Sequence, residues 1–417
     1  MKTVLLNDSF PPVIDGVSNT ILNYADYLQK HGDTPLVAVP RYPDVVDDYP
    51  FEVLRYPSMY AGKKVGYRAG RPFTRKAMNR LSQFSPELIH THCPVASTLL
   101  ARELREIVHV PIILTYHTKF DYDLARFVRS KALQHIMVQE IIRNVSACDD
   151  IWVVNEGAGK NLKELGFEGE YTVMPNGVDI DPSPCAPEIL DKLNDEYALK
   201  AEEPLFLFVG RMLWYKGQRY ILEGLARLKA KEIPFRMAFV GDGGDLENIR
   251  KEAENLGILD RCIFTGTILD RERLKAWYSR ADAFLLPSVF DNNPLVVKEA
   301  ASCSTPSVLV RDSSSADGVT HMENGFLISE SSEEMGVQLE WICRNLPKTK
   351  EIGEKASQTL YVSWDDSIAR ARKRYEEILT LHRTGELPPH RTPIDNGIIR
   401  MVSGFYKAFA KKPAPQE

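Results

Sequence analysis

Four charged side chains in the C-terminal half have types and spacings suited to holding a diphosphate and a polyhydroxy compound. Phe208-Val209-Gly210-Arg211-Met212-Leu213-Trp214-Tyr215-Lys216-Gly217 reads as an apolar strand ending at Gly210, with Arg211 and Lys216 emerging in the turn before a helix. Two cations where a strand ends suit a diphosphate, because Arg presents a planar fork of donors and Lys a compact charge. Taken alone, the same two residues fit a pair of solvated surface cations equally well. Further on, Asp291 and Glu299 stand eight positions apart, the first in a loop after the apolar run Ala283–Leu286, the second about one turn into a helix. With Ala300 and Ala301 beside it, Glu299 is expected on a buried helix face. A buried carboxylate needs donors, and sugar or ribose hydroxyls supply them. The plainer reading is a helical Glu in a surface salt bridge. The start of that helix, at Leu295 and Val296, offers backbone N–H groups to an anion.

The elements that must position these groups alternate between short apolar runs and helix-like segments, the pattern of parallel sheets covered by helices. Val4–Leu6, Leu36–Val39, Leu88–His92, Ile112–Tyr116 and Ile151–Val154 read as strands, with a helix over Ser18–Lys30. A polar, proline-containing stretch between Pro182 and Pro204 reads as a hinge. A second strand set follows at Leu205–Val209, Arg236–Val240, Cys262–Thr265, Ala283–Leu286 and Ser307–Leu309. Tyr220–Lys231, Asp245–Leu256, Arg271–Arg280 and Leu295–Ser302 are the expected helices between them. The expected fold is α/β, two Rossmann-like domains facing across a cleft, residues 1–181 and 182–363. Ligands of such sheets gather at the carboxyl ends of the strands.

Composition narrows the partners. The 417 residues exceed a usual single domain, and 44% hydrophobic with 26% charged residues is ordinary for a globular chain. A net charge of −5 gives no general reason to expect nucleic acid. Cys93, Cys148, Cys185, Cys262, Cys303 and Cys343 are scattered without paired spacing, which favours reduced thiols in a cytoplasmic protein. The N-terminal apolar run is too short for a signal peptide, and no apolar stretch is long enough to span a bilayer. Membrane contact is therefore expected to be peripheral.

Taken together the motifs resemble the family 4 retaining glycosyltransferases of the GT-B fold. There, a Gly-Arg-…-Lys-Gly turn binds the donor diphosphate, matching Gly210, Arg211 and Lys216, and two acids eight apart match Asp291 and Glu299. Val173–Asp179, Phe239–Gly243, Phe264–Gly266, the loop Pro12–Ser18 with Gly16, and the pairs His90-Thr91-His92 and Thr115-Tyr116-His117-Thr118 extend the similarity from about residue 1 to about residue 380. The resemblance implies a nucleotide-sugar substrate, with UDP the expected nucleotide, and a retaining transfer that needs neither cofactor nor metal. It assigns Arg211, Lys216 and amides near Gly16 to the leaving diphosphate, and Glu299 to the ribose. Asp291 and His117 fall to the sugar hydroxyls, and backbone groups around Ile268 to the base. It also implies a final helix, Trp364–Leu381, returning to the first domain. Three positions depart from the family: Asp291 replaces a Glu, Pro294 a Gly, and Ser304 a Gly before Thr305-Pro306. These bear on donor-sugar preference more than on phosphate binding. A nucleotide-sugar epimerase or a non-catalytic binder of the same fold is the alternative class.

Other signals read more plainly. His90-Thr91-His92-Cys93 resembles a metal cluster, but alternating strand positions point to opposite faces, and strand-end packing is favoured over zinc. Gly241–Gly244 lacks full dinucleotide spacing and reads as a strand-to-helix turn. Asp121 and Asp123 read as solvated loop acids. For the acceptor, Arg55, Lys63, Lys64, Arg68, Arg71, Arg75, Lys76 and Arg80 form a basic run without an acid, interleaved with aromatics. Since lipid-glycosylating members of the family carry similar segments, an anionic membrane surface and a lipid acceptor are expected, with a cell-wall or capsule saccharide as runner-up. The terminal region 364–417 adds a one-faced basic helix over Ile394–Ala410, either packed on the first domain or lying in the interface at the inner face of the membrane.

Overall fold

The computed structural model describes residues 1–13, 15–60, 68–120, 124 and 128–388. It divides into two compact units, Met1–Asn176 with the chain from Trp364 onward, and Gly177–Ser363. Asp121, Asp123, Lys63, Lys64 and the Ile394–Ala410 segment lie outside the described residues.

The first unit is built on strands β1 (Lys2–Leu6), β2 (Thr34–Pro40), β3 (Glu52–Tyr56), β6 (Leu88–Thr91), β7 (Ile112–Tyr116), β8 (Asp150–Val153) and β9 (Thr172–Val173), with a small antiparallel pair, β4 (Ser58–Tyr60) and β5 (Arg68–Gly70). The seven strands are all parallel, in the order β3-β2-β1-β6-β7-β8-β9. Their residues are almost continuously apolar because both faces are covered, so alternation is not needed. Helix α1 (Gly16–Lys30) follows β1. It begins two residues earlier than the sequence reading placed it, since Asp15 accepts from the amides of Val17 and Ser18, at 2.9 and 2.7 Å, while Ser18 Oγ accepts from Asp15 N. This reciprocal cap fixes the helix start.

The last described helix, Trp364–Thr384, packs within this same unit. Trp364, Ile368, Ala371, Tyr375 and Ile378 are buried at alternating spacings of four and three, which lays them on one face. Tyr375 stacks on Trp152 at 5.3 Å, and Trp364 meets the edge of Tyr24 at 6.1 Å. Each large side chain so buried contributes about 1.5–3 kcal/mol. Arg374 makes two hydrogen bonds to Asp150, at 2.8 and 2.9 Å. The C-terminal helix thus completes the core of the N-terminal unit.

The second unit repeats the plan with β10 (Leu205–Val209), β11 (Arg236–Val240), β12 (Cys262–Gly266), β13 (Ala283–Leu286), β14 (Ser307–Val310) and β15 (Phe326–Ile328), parallel throughout in the order β12-β11-β10-β13-β14-β15. The stretch read as a hinge holds a helix, Pro187–Tyr197, which has proline in its first turn and packs on the helix Arg271–Arg280. Its composition is that of a solvated helix rather than a flexible linker. The chain passes between units earlier, at Asn176 and Gly177.

In both sheets the strand order reverses once, between β1 and β6 and between β10 and β13. The loops leaving those strands diverge at that point and open a crevice. The loops after β1, β6, β10 and β13 carry Gly16, His92, Arg211 and Asp291 respectively.

Candidate functional site

In the second unit the turn after β10 leads through a short helical turn, Trp214–Lys216, to Gly217. Gly217 has φ of 85°, and a Cβ there would stand 2.1 Å from the carbonyl oxygen of Pro287. Only glycine allows this turn to press against the chain leaving β13. The close approach brings Lys216 to Asp291: Lys216 Nζ donates to Asp291 Oδ1, in a pair whose side chains are only 14% and 16% exposed. The other carboxylate oxygen, Asp291 Oδ2, is buried and has no hydrogen-bond partner among the described residues. Asn293 Nδ2 and Gln218 Oε1 are in the same condition. Buried polar atoms are ordinarily paired, and these three, two acceptors and one donor, are suited to a ligand that carries hydroxyl groups. Gln218 Nε2 donates to Arg211 O at 3.3 Å. The Arg211 guanidinium is exposed, donates to Tyr215 Oη at 3.3 Å, and pairs with no carboxylate among the described residues.

Glu299 lies on the buried face of helix Leu295–Ser302, as its alanine neighbours predict. Both its oxygens have protein partners: Oε1 accepts from Arg271 Nη2 and Oε2 from Tyr278 Oη, each at 2.9 Å. It is therefore no carboxylate waiting for its first donor: it is itself buried, braced by the buried Tyr278 and by the Arg271 guanidinium, which is exposed along its other side. Each oxygen keeps a lone pair for a further donor. Burial opposes the charge on Arg271, yet the Glu299 carboxylate outweighs it and raises the guanidinium pKa. Burial first, and then the Glu299 charge, push the Tyr278 phenol well above its usual range. Sequence reasoning missed Arg271 and Tyr278. The signal was there in part, since residues seven apart on helix Arg271–Arg280 share a face.

At the start of the Glu299 helix, Pro294 is the N-cap and no side chain caps the end, which leaves the Leu295 and Val296 amides uncapped. Ile268 is half-buried in the loop between β12 and helix Arg271–Arg280. Gly241 to Gly244 forms the turn between β11 and helix Leu246–Asn255.

In the first unit, Gly16 opens α1, and a Cβ there would meet nothing within 4 Å. The neighbouring amides of Val17 and Ser18, expected to face a phosphate, are instead taken by Asp15. His90 and His92 do not point to opposite faces: two apart on one strand, their rings lie 4.1 Å apart on the same side. The sequence reading confused neighbouring with alternate positions. His90 Nδ1 bonds Tyr375 Oη at 2.6 Å and Nε2 bonds Thr115 Oγ1 at 2.7 Å. His92 Nδ1 lies 3.0 Å from Nε2 of His117, which is half-buried after β7. Burial lowers the His117 pKa to about 3 and drives His90 and His92 well below the usual range. Among the described residues no group of three His, Cys, Asp or Glu is placed to hold a metal ion. Asp8, passed over in the sequence, accepts from the amides of Ala96 and Ser97 at 3.0 and 2.8 Å, and burial raises its pKa to about 6.

The basic run is less uniform than its sequence. Arg55 forms a two-bonded pair with Asp47, and Arg80 pairs with Glu52, so acids outside the run neutralise its ends. Arg41, Arg68 and Lys76 line a cavity of about 420 Å³ together with Tyr56 and Ser58. Arg68 is held there through Ser58 Oγ at 2.9 Å and lies over Tyr42. No described helix is long and apolar enough to cross a membrane.

Residues 14–182 match the family described as Glycosyltransferase Family 4, and residues 191–359 match Glycosyl transferases group 1. Alpha-monoglucosyldiacylglycerol synthase of Streptococcus pneumoniae is 24% identical over 73% of this chain and 70% of its own length. Sulfoquinovosyl transferase of Arabidopsis thaliana is 26% identical over 87% of this chain and 70% of its own length. Among solved structures, Anabaena HepE in complex with UDP superposes with a TM-score of 0.72 at 17% identity, covering 90% of this chain and all of that one. Sucrose-phosphate synthase from Thermosynechococcus elongatus superposes with a TM-score of 0.74 at 19% identity, covering 91% and 99%.

Proposed function

The chain belongs to the family 4 glycosyltransferases of the GT-B fold, and on that premise we propose that it moves a hexose from a UDP-sugar to a hydroxyl of a membrane lipid such as diacylglycerol, with retention. The observation that carries this reading is the set of buried, unpartnered polar atoms at Gln218, Asp291 and Asn293, beside the Lys216 ammonium and the Arg211 guanidinium. The bond from the sugar's anomeric carbon to the diphosphate breaks, and a bond to the acceptor oxygen forms on the same face. The acceptor proton passes to the departing phosphate. Arg211, Lys216 and the amides of Leu295 and Val296 stabilise the charge that develops on the diphosphate. Glu299, held in place by Arg271 and Tyr278, accepts from the ribose. Asp291 Oδ2 and His117 take the sugar hydroxyls, and backbone groups at Ile268 the base. With cations in these places, no divalent metal is required.

The lipid acceptor rests on the name of one relative, the alpha-monoglucosyldiacylglycerol synthase, and on the Arg41, Arg68 and Lys76 hollow, which favours an anionic surface. Binding there would be peripheral, at the inner face of the membrane. The test is to incubate the protein with UDP-, GDP- and ADP-sugars, with and without diacylglycerol in anionic vesicles and in the presence of a chelator. UDP release that depends on the lipid is expected, together with an α-linked glycolipid. Conversion of the nucleotide sugar without acceptor would replace transferase by epimerase. Strict dependence on added magnesium or manganese would sink the metal-free mechanism.

A further inference from the structure

The three histidines of the first unit form one connected group. Both ring nitrogens of His90 are engaged, one by Tyr375 of the C-terminal helix and one by Thr115 of β7. This fixed ring lies 4.1 Å from that of His92, and the Tyr24 ring closes over both, at 5.5 and 5.3 Å. His92 is 2% exposed, and its Nε2 has no hydrogen-bond partner among the described residues. Its Nδ1 faces His117 Nε2 at 3.0 Å.

One hydrogen must lie between those two nitrogens, and a neutral imidazole carries only one N–H. If His117 Nε2 supplied it, His92 would have to carry its own hydrogen on Nε2. That N–H would then be buried without an acceptor among the described residues. If His92 Nδ1 supplies it, what remains unpaired is a lone pair on Nε2. Orphaned buried N–H groups are rarer in folded proteins than under-used acceptors. Protonating both rings is opposed by their burial, which keeps His117 near a pKa of about 3.

We infer that His92 is a positioning residue that donates Nδ1–H to His117 Nε2 and thereby fixes His117 as the Nδ1–H tautomer. His117 then acts as a hydrogen-bond donor through Nδ1 and has no lone pair left for general-base work. This rests on the reading above that His117 meets the donor sugar. On that reading, the site selects sugars whose hydroxyl oxygen accepts at that point. The C-terminal helix enters the same device, since Tyr375 anchors His90 and His90 supports the ring of His92.

The tautomer is read directly by long-range ¹H–¹⁵N correlation spectra of the full chain labelled at its nine histidines, with assignment by His92→Phe and His117→Gln. In the unsubstituted protein His117 should show a protonated Nδ1 and a bare, hydrogen-bonded Nε2. His92→Phe should release it to a mixture of tautomers and lower kcat/KM for the nucleotide sugar about tenfold, the scale of one hydrogen bond. UDP binding should not change. His92→Asn, which retains a side-chain N–H, should restore most of the activity, so a merely structural loss is separable. A His117 ring protonated on Nε2 in the unsubstituted protein, or one indifferent to His92→Phe, overturns the inference. The expected tautomer combined with an unimpaired His117→Ala enzyme would sink the sugar contact alone and leave the tautomer assignment standing.

Discussion

Replacing Asp291 by Asn should tighten the binding of bare UDP while disabling transfer. Lys216 is the compact cation assigned to the diphosphate, but in the free protein Asp291 holds it. A diphosphate must therefore compete with a carboxylate that also repels it. With the two side chains 14% and 16% exposed, the pair lies between an exposed bridge, worth up to about 1 kcal/mol, and a buried one whose breaking costs about 3–5 kcal/mol. An intermediate loss of about 1–3 kcal/mol lowers the melting temperature of free Asp291→Asn by roughly 2–12 °C at 2–4 °C per kcal/mol. Part of that energy is recovered when UDP supplies the missing anion. About 1 kcal/mol returned to binding tightens Kd roughly fivefold. Transfer should nevertheless fall about 100-fold, because the partner of the sugar hydroxyl has lost its charge. Calorimetric titration of UDP and thermal melts with and without UDP measure both sides. Asp291→Glu, which keeps the pair, is the control. Weaker UDP binding in Asp291→Asn, or a melting temperature equal to the parent's, would refute the competition.

Glu299→Gln should weaken UDP binding about tenfold or more, the opposite sign to Asp291→Asn, because an amide cannot accept from both Arg271 and Tyr278 and still serve the ribose. A titration with the bare diphosphate decides it, and equal effects in the two variants would mean the roles are wrongly divided. Arg211→Ala and Lys216→Ala should each cut turnover about 100-fold or more, but only Lys216→Ala should lower the melting temperature, since Arg211 has no carboxylate partner among the described residues. Near-normal turnover in either would end the diphosphate assignment. Stability should also fall as pH drops below about 6.5. His90, His92 and His117 are buried with depressed pKa values, so the unfolded chain binds more protons there. Each histidine costs up to about 1.4 kcal/mol per pH unit, until His117 itself protonates near pH 3. Melts from pH 7.5 to 4.5 should show the decline, with His117→Gln reducing its slope.

The fold was legible where burial on both faces writes a strand as an unbroken apolar run. Leu205–Val209 and Ala283–Leu286 were placed to the residue from that signal. Strands that break it were missed: β3 is half-buried along most of its length, and β9 has only two residues. The helix Pro187–Tyr197 was read as a hinge because only Leu193 of its eleven residues is buried, so almost no apolar period survives. The charged residues of the site were legible by type and by the loop that carries them. Their pairing was not. Lys216 and Asp291 are 75 positions apart, and Arg271 and Glu299 are 28. Parallel topology joins them by bringing successive strand ends side by side, and spacing along the chain does not encode that.

The missed partners also explain why acids as different as Asp291 and Glu299 stand on either side of one helix start. Glu299 is braced on both oxygens by groups from a single helix, which suits a contact that must be the same for every donor carrying that nucleotide. Asp291 is braced on one oxygen only, by the cation proposed above for the diphosphate, and its other oxygen is buried and open among the described residues. Leaving such an atom unsatisfied costs about 1–3 kcal/mol, as do Gln218 Oε1 and Asn293 Nδ2 beside it. A fold selected for stability alone would pair or expose all three. They are left open at the reversal of strand order, where backbone geometry already parts the loops, and on the reading proposed above the donor completes a hydrogen-bond set that the protein by itself leaves unfinished.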